Sequence, residues 1–114
     1  MNKRQQGSFR EKEAAAFLES KGFRILQRNF RCRLGEIDLI ARDGAWLVFV
    51  EVKYRRSERY GWGEEHVDKR KQQRIIAVAR YYLAGLKALP PCRFDVIAID
   101  ENRIHHFPNA FEVR

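Results

Sequence analysis

The chain has 114 residues, 45% of them hydrophobic, so we expect one domain over residues 1–114 with a buried core rather than a disordered chain. Lys and Arg total 23 against 15 Asp and Glu, and the net charge of +8 is typical either of a protein with a polyanionic partner such as nucleic acid or of a soluble basic housekeeping domain. The longest apolar run, which ends at Val50, is far too short for a membrane span, and no secretory signal is recognised. Cys32 and Cys92 lack zinc-site spacing and predict a reduced, cytoplasmic protein.

The first predicted element is a helix that runs from Ser8, its N-cap residue, to about Lys21, with Gly22 ending it. Its apolar stripe has helical spacing and consists of Ala14, Ala15, Phe17 and Leu18. Residues 23–30 then alternate apolar and basic side chains, which predicts a short, partly exposed strand.

A β-hairpin is predicted next. Residues 34–41 and 46–53 are two largely apolar runs, and Asp43-Gly44 between them is a strong turn signal. Residues 54–65, which are rich in Arg and Gly, follow as a loop.

The second half of the chain predicts a helix over about 67–86, a strand over 93–99 that is buried on both faces, and a tail over 104–111 with one edge strand. The apolar side of that helix consists of Ile75, Ile76, Val78, Ala79, Tyr82, Leu83 and Leu86. The strand–helix–strand order forms a crossover, so the third and fourth strands should be parallel. The predicted fold is α/β, with helices packed on a mixed sheet.

The hairpin sorts its side chains onto two faces. If Asp43-Gly44 forms a two-residue turn, Glu36 lies opposite Glu51 and Asp38 lies on the diagonal, roughly 7–8 Å away. A four-residue loop would shift the register by two residues and keep the same faces. One face is apolar and is predicted to be core: Ile37, Leu39, Ala41, Trp46, Val48, Val50 and Val52. The other is apolar near the turn and charged at its far end: Leu34, Glu36, Asp38, Ile40, Leu47, Phe49, Glu51 and Lys53.

Three carboxylates and the ammonium group of Lys53 therefore meet on one patch. Like charges opposed in a sheet are destabilising, so the arrangement favours a compensating cation. Ligands that are all oxygen atoms suit Mg²⁺ or Mn²⁺ better than zinc. Lys53 could hold a scissile phosphate or stabilise an attacking hydroxide. The alternative is a solvated strand face on which Lys53 pairs with Glu51 and Glu36 points to water.

An acidic residue, a hairpin and then Glu-x-Lys resemble the signature of the PD-(D/E)xK nuclease superfamily. More specifically, the chain resembles the YraN-like family of small bacterial proteins, which is related to archaeal Holliday-junction resolvases. The motifs that carry this resemblance are Gly7-x-x-x-Glu11-x-x-Ala14-x-x-Phe17-Leu18, Gly22-Phe23-x-Ile25-Leu26-x-Arg28-Asn29, Gly35-Glu36-Ile37-Asp38-Leu39-Ile40, Val48-Phe49-Val50-Glu51-Val52-Lys53, Lys71-x-x-Arg74-Ile75, Arg93-Phe94-Asp95-Val96 and Asn109-Ala110-Phe111.

The resemblance implies a restriction-endonuclease-like core. It also implies that Asp38, Glu51 and the carbonyl of Val52 are metal ligands and that Lys53 is the catalytic lysine. Relatives often add a carboxylate from the first helix, and the matching residue is Glu11, which helical spacing also directs towards the sheet. The alternative for Glu11 is an acid in the first turn, favoured by the helix dipole. Glu36 is a further candidate ligand.

Seven basic residues follow the acidic patch and are candidate nucleic-acid ligands: Arg55, Arg56, Arg59, Lys69, Arg70, Lys71 and Arg74. Cations in the first turns of a helix oppose its dipole, so a bound phosphate would relieve a local cost. The alternative is an ordinary solvated run of charge. Trp62, which lies between two glycines, either stacks on an unpaired base or pins the loop onto the core. Arg28, Arg31 and Arg33 could extend the basic rim.

Two further groups are given structural roles. His105 and His106 have no partner ligands at a recognisable spacing and are predicted to lie in a surface tail. Asp95 is predicted to pair with Arg93 or another arginine rather than to act in catalysis.

The leading hypothesis is a Mg²⁺- or Mn²⁺-dependent endonuclease acting on DNA, with branched or damaged DNA as candidate substrates. A nuclease that cuts both strands symmetrically would act as a homodimer. The second hypothesis is a non-catalytic nucleic-acid-binding module on the same fold, to which a protein partner supplies the substrate. The third is a structural adaptor that contacts no nucleic acid.

Overall fold

The computed structural model describes residues 3–54, 67–101 and 103–113, and for residues 3–8 only the backbone is considered. Within these ranges the chain forms two helices and one five-stranded sheet, which confirms the predicted α/β fold. The helices are α1 (Lys3–Ser20) and α2 (Lys69–Ala84), and the strands are β1 (Arg24–Cys32), β2 (Gly35–Asp43), β3 (Trp46–Tyr54), β4 (Cys92–Ile99) and β5 (Ile104–Phe111). Neither helix is long and apolar enough to cross a membrane.

The sheet is mixed, and its strand order is β1-β2-β3-β4-β5. The helix α2 connects β3 to β4, and these two strands are parallel, as the crossover predicted. The other neighbouring pairs are antiparallel, and β5 is an edge strand. This architecture is compatible with a restriction-endonuclease-like core.

Two hydrophobic cores lie on opposite faces of the sheet because the strand side chains alternate in direction. The core between α1 and the sheet consists of Ala14, Ala15, Leu18, Phe23, Leu39, Ala41, Val48, Val50, Ile97 and Ile99. The core between α2 and the sheet consists of Ile37, Ile40, Leu47, Phe49, Val67, Ile75, Ile76, Val78, Ala79, Phe94, Val96 and Phe111. The molecule is therefore a three-layer sandwich of helix, sheet and helix.

The start of α1 differs from the prediction. Ser8 lies inside the helix rather than at its N-cap, because the helical backbone already includes Lys3. The end is as predicted, since Gly22 follows with a φ of 94°, a left-handed conformation that glycine adopts without steric cost. The earlier start places Glu11 in the middle of the helix. The interpretation of Glu11 as a first-turn acid favoured by the helix dipole is therefore wrong.

The predicted hairpin register is also wrong. The loop is Gly44-Ala45, so Asp43 pairs with Trp46 and the ladder runs to Leu39 opposite Val50. Gly44 has a φ of 60°, and glycine at the first loop position is the pattern of a type II′ turn. Continued along the strands, this register sets Asp38, rather than Glu36, opposite Glu51.

Most of the predicted sorting of faces is confirmed, with two exceptions. Ile37 is buried, but it packs with the residues under α2 instead of those under α1. It lies beyond the last β2–β3 pair, in the part of β2 that pairs only with β1. Trp46 was predicted to be core, yet it is 43% exposed at the end of the strand beside the turn.

A buried ionic network attaches the edge strand to the sheet. Asp95 is fully buried and accepts hydrogen bonds from the Arg93 guanidinium at 2.9 and 3.1 Å and from the backbone N–H of Asn109 at 2.9 Å. His106 Nε2 lies 2.7 Å from the same carboxylate, so the prediction that His106 belongs to a surface tail is wrong. Burial raises the pKa of Asp95, but the bonds from His106 and Arg93 outweigh it and hold the pKa below its usual value.

We expect Asp95→Asn to lower the free energy of unfolding by about 2–4 kcal/mol, because it removes the buried one of the two carboxylates, Asp95 and Asp43, that pair with Arg93. Urea unfolding followed by circular dichroism measures the change. The control is Glu13→Gln, which breaks a more exposed ion pair with Arg10 on α1 and should cost no more than about 0.5 kcal/mol. Equal losses in both variants would contradict the role given to the Asp95 network.

Candidate functional site

The candidate site lies where β2 and β3 stop pairing with each other. Their ladder ends at Leu39 and Val50, although β2 continues to Gly35 beside β1 and β3 continues to Tyr54 beside β4. In the gap, the Asp38 carboxylate accepts a hydrogen bond of 2.8 Å from the backbone N–H of Val52. A side-chain oxygen therefore takes the place that a strand carbonyl holds in a regular ladder.

Four acidic side chains converge at this gap. Carboxylate oxygens of Glu11, Glu36 and Asp38 all lie within 4.8 Å of one another. Asp38 also forms a side-chain hydrogen bond with Glu51, whose own side chain is only 7% exposed. Glu11 comes from one helical layer and the other three from the two strands, so the cluster depends on the packing of α1 against the sheet.

Burial and the crowding of these acids shift the pKa of Asp38 strongly. Burial, the negative charge of Glu51, the hydrogen bond with Glu51 and the charge of Glu11 together raise the pKa of Asp38 to about 8, against the opposing effect of the Val52 amide. At neutral pH, Asp38 is therefore expected to keep its proton in the folded protein. A partly buried set of hard oxygen donors with crowded negative charge suits a divalent cation such as Mg²⁺ or Mn²⁺.

Basic side chains from α2 face these acids across an open cavity of about 420 Å³. Lys71 Nζ forms an ion pair with Glu51 Oε2, and Arg74, one turn later, also lines the cavity. Among the residues that the structure describes, the lining consists of Gly35, Glu36, Asp38, Glu51, Val52, Lys71, Arg74 and Ile75. A cavity with acids on one wall and cations on the other can hold a phosphate group beside a metal ion.

The remaining predicted residues fall into three groups. Lys53 lies two residues beyond Glu51 on β3 and is half-buried. Lys69 and Arg70 are exposed at the start of α2, next to the cavity wall that Lys71 forms. The predicted nucleic-acid ligands Arg55, Arg56, Arg59 and Trp62 lie outside the residues that the structure describes. On the predicted basic rim, Arg31 donates a hydrogen bond of 2.8 Å to Glu36.

Two further residues near the cavity were given no role in the sequence analysis. Asp68 is the N-cap of α2 and accepts a hydrogen bond of 2.9 Å from the Lys71 backbone N–H, which lowers the pKa of Asp68. The sequence signal for this N-cap was an Asp directly before a basic segment that continues with apolar residues at helical spacing. Gly35 has a φ of 145°, and a Cβ atom there would lie 3.3 Å from Val78 of α2. Glycine thus lets β2 and α2 approach closely beside the acids.

Comparison with known proteins identifies relatives along most of the chain. The family model described as "Uncharacterised protein family UPF0102" matches residues 10–99. A UPF0102 protein of Lachnoclostridium phytofermentans is 49% identical over 98% of this chain and 97% of its own length. The UPF0102 protein of Thermodesulfovibrio yellowstonii is 48% identical over 89% of this chain and 90% of its own length. The UPF0102 protein of Symbiobacterium thermophilum is 53% identical over 85% of this chain and 83% of its own length.

Proposed function

This chain belongs to the uncharacterised protein family UPF0102, and we propose that it is a metal-dependent endonuclease that hydrolyses phosphodiester bonds in DNA. UPF0102 and the YraN-like family are the same family, so the resemblance predicted from the motifs is confirmed. The observation that supports the nuclease proposal most directly is the acidic cluster around Asp38 and Glu51, with Lys53 following on the same strand. Branched and damaged DNA are the proposed substrates.

The residues proposed to hold Mg²⁺ or Mn²⁺ are Asp38, Glu51 and the carbonyl of Val52, with Glu11 or Glu36 as the additional carboxylate. Their donor atoms are all oxygens, and burial together with the charge of Glu51 raises the pKa of Asp38, a cost that a bound cation would relieve. When bound, the cation supplies Lewis-acid activation of the scissile phosphate and of the attacking water.

The side chains of the protein supply the rest of the chemistry. Lys53 orients the attacking water and stabilises the negative charge that develops on the phosphate in the transition state. Lys71 and Arg74 bind the phosphate from the opposite wall of the cavity. Lys69 and Arg70 contact the neighbouring backbone phosphates from the exposed start of α2, and the proposal extends this surface to Arg55, Arg56, Arg59 and Trp62.

The direct test is cleavage of plasmid DNA and of a four-way junction with Mg²⁺, with Mn²⁺ and with a chelator. We expect cutting with either ion and none after chelation, since the charge of the acidic cluster has to be balanced before phosphate can approach. Wild type, Asp38→Ala and Lys53→Ala are purified in the same way. Equal cutting by all three proteins would indicate a contaminating nuclease and would overturn the proposal.

A second candidate function is a non-catalytic nucleic-acid-binding module, and the observation that favours it is the net charge of +8 with exposed Lys69 and Arg70 on one helix end. DNA binding that weakens with salt but never leads to metal-dependent cutting would support it. Failure to retain DNA even at low ionic strength would instead favour the structural adaptor.

A further inference from the structure

The ion pair between Lys71 and Glu51 joins two elements with different freedom to move. Glu51 lies on a central strand, and its side chain is 7% exposed. Lys71 lies in the first turn of α2, and its side chain is 47% exposed. A lysine has a flexible four-carbon stem and a strongly hydrated head, so Lys71 can leave the pair far more easily than the buried carboxylate can.

We propose that Lys71 is a displaceable counter-ion, whose ammonium neutralises Glu51 until a divalent cation binds and then moves to a phosphate of the bound nucleic acid. This inference rests on the proposed function, because it assumes that the acidic cluster is a metal site. It makes Lys71 a competitor of the metal before binding and a substrate ligand afterwards.

The charge arrangement in the cavity supports this exchange. Glu51 contacts Asp38 on one side and Lys71 on the other, so a cation that binds the two carboxylates repels the ammonium at close range. Arg74 lines the same cavity one turn further along α2. A lysine released from Glu51 therefore stays beside a second cation, and the two together favour an anion at that wall.

The pair is not needed to hold α2 on the sheet. The helix is anchored by four buried side chains, Ile75, Ile76, Val78 and Ala79. Its first turn is closed by Asp68, which accepts the Lys71 backbone N–H independently of the Lys71 side chain. Removal of the ammonium should therefore leave the fold intact, which a thermal unfolding curve of the variant verifies.

The test is calorimetric titration with Mn²⁺ of wild type, Lys71→Met and the control Arg74→Met. If the metal has to displace Lys71, we expect Lys71→Met to bind Mn²⁺ about five- to tenfold more tightly than wild type. Arg74→Met removes a positive charge from the same cavity wall, so it measures the general electrostatic effect on Mn²⁺ affinity. The gain in affinity for Arg74→Met, on a logarithmic scale, should be less than about half the gain for Lys71→Met. Equal affinities for Lys71→Met and wild type, or equal gains in both variants, would overturn the counter-ion role.

A second readout follows the lysine itself in the wild-type protein. Acetylation of Lys71 by an amine-selective reagent is measured by peptide mass spectrometry with and without Mn²⁺, relative to the exposed Lys87. We expect Mn²⁺ to accelerate acetylation of Lys71 at least threefold, because a displaced ammonium is more accessible. An unchanged ratio would overturn the inference.

The outcomes separate this inference from the proposed function. A wild type that binds no Mn²⁺ and cuts no DNA overturns both. If the wild type binds Mn²⁺ and cuts DNA but Lys71→Met binds Mn²⁺ with the same affinity, only the counter-ion role is overturned.

Discussion

Replacing Lys53 with Met is expected to lower the rate of Mg²⁺-dependent DNA cleavage by about 100- to 1,000-fold, while Mn²⁺ affinity stays within about twofold of wild type. Met keeps most of the apolar stem of the half-buried lysine but removes the cation that stabilises the transition state. Single-turnover cleavage with enzyme in excess gives the rate of the chemical step, and calorimetry gives the affinity for Mn²⁺.

Glu51→Gln should impair both Mn²⁺ binding and DNA cleavage, because Glu51 is a proposed metal ligand rather than an electrostatic catalyst. We expect at least about tenfold weaker Mn²⁺ binding together with loss of cleavage. The control is Lys87→Met, which changes an exposed lysine beyond the end of α2 and should leave both measurements unchanged. Equal cleavage rates for Lys53→Met and Lys87→Met would exclude Lys53 from the chemistry.

Replacing Asp38 with Asn should stabilise the protein near pH 8 in the absence of divalent ions, by roughly 5 kcal/mol relative to wild type, since each pKa unit of the shift corresponds to about 1.4 kcal/mol. The pKa of Asp38 is raised from 3.8 to about 8 in the folded protein, so the unfolded chain releases this proton above about pH 4 while the folded one keeps it. The contribution of Asp38 to stability is therefore fully present below pH 4 and is lost progressively between pH 4 and pH 8.

Urea unfolding at pH 4, 6 and 8 measures the difference in the free energy of unfolding between wild type and Asp38→Asn. This difference should be near zero at pH 4 and should grow as the pH rises. Asn keeps an oxygen that accepts the Val52 N–H, so the variant changes the charge without removing that hydrogen bond. Asp43→Asn, at the turn end of the same strand, is the matched control and should not become more stable with pH. A difference for Asp38→Asn that is the same at all three pH values would contradict the crowding of acids around it.

Saturating Mn²⁺ should reverse the order of stabilities at pH 8. Wild type gains binding free energy that Asp38→Asn largely lacks, since a neutral amide is a weaker ligand for a hard cation. The acidic cluster thus costs stability without an ion and contributes stability with one.

Much of the candidate site followed from local pattern. Strand alternation placed Asp38 and Glu51 on the partly charged face of the hairpin, and the helical spacing of Glu11 from Ala14, Ala15 and Leu18 directed it towards the sheet. The register was predicted incorrectly because both Asp43-Gly44 and Gly44-Ala45 satisfy the requirement for a glycine in a tight turn. Local sequence signals do not choose between two such turns, whereas packing of the whole sheet does.

Contacts between distant elements were missed for a different reason. Nothing in the sequence around Lys71 indicates that its partner is Glu51, 20 residues earlier, since the crossover through α2 creates that proximity. His106 looked like part of a surface tail because the residues that it contacts, Asp95, Phe17 and Phe23, come from other parts of the chain.

The sequence by itself determined the class of fold, the crossover between β3 and β4, the apolar faces and the oxygen-rich chemistry of the hairpin, because each of these depends on residue type and on a period of 2 or 3.6. The tertiary structure alone decided which acids touch, where β2 and β3 part, and which helix supplies the counter-charge. Those features arise from the packing of two helices on opposite faces of a twisted sheet, and that packing couples residues between which the sequence prescribes no fixed spacing.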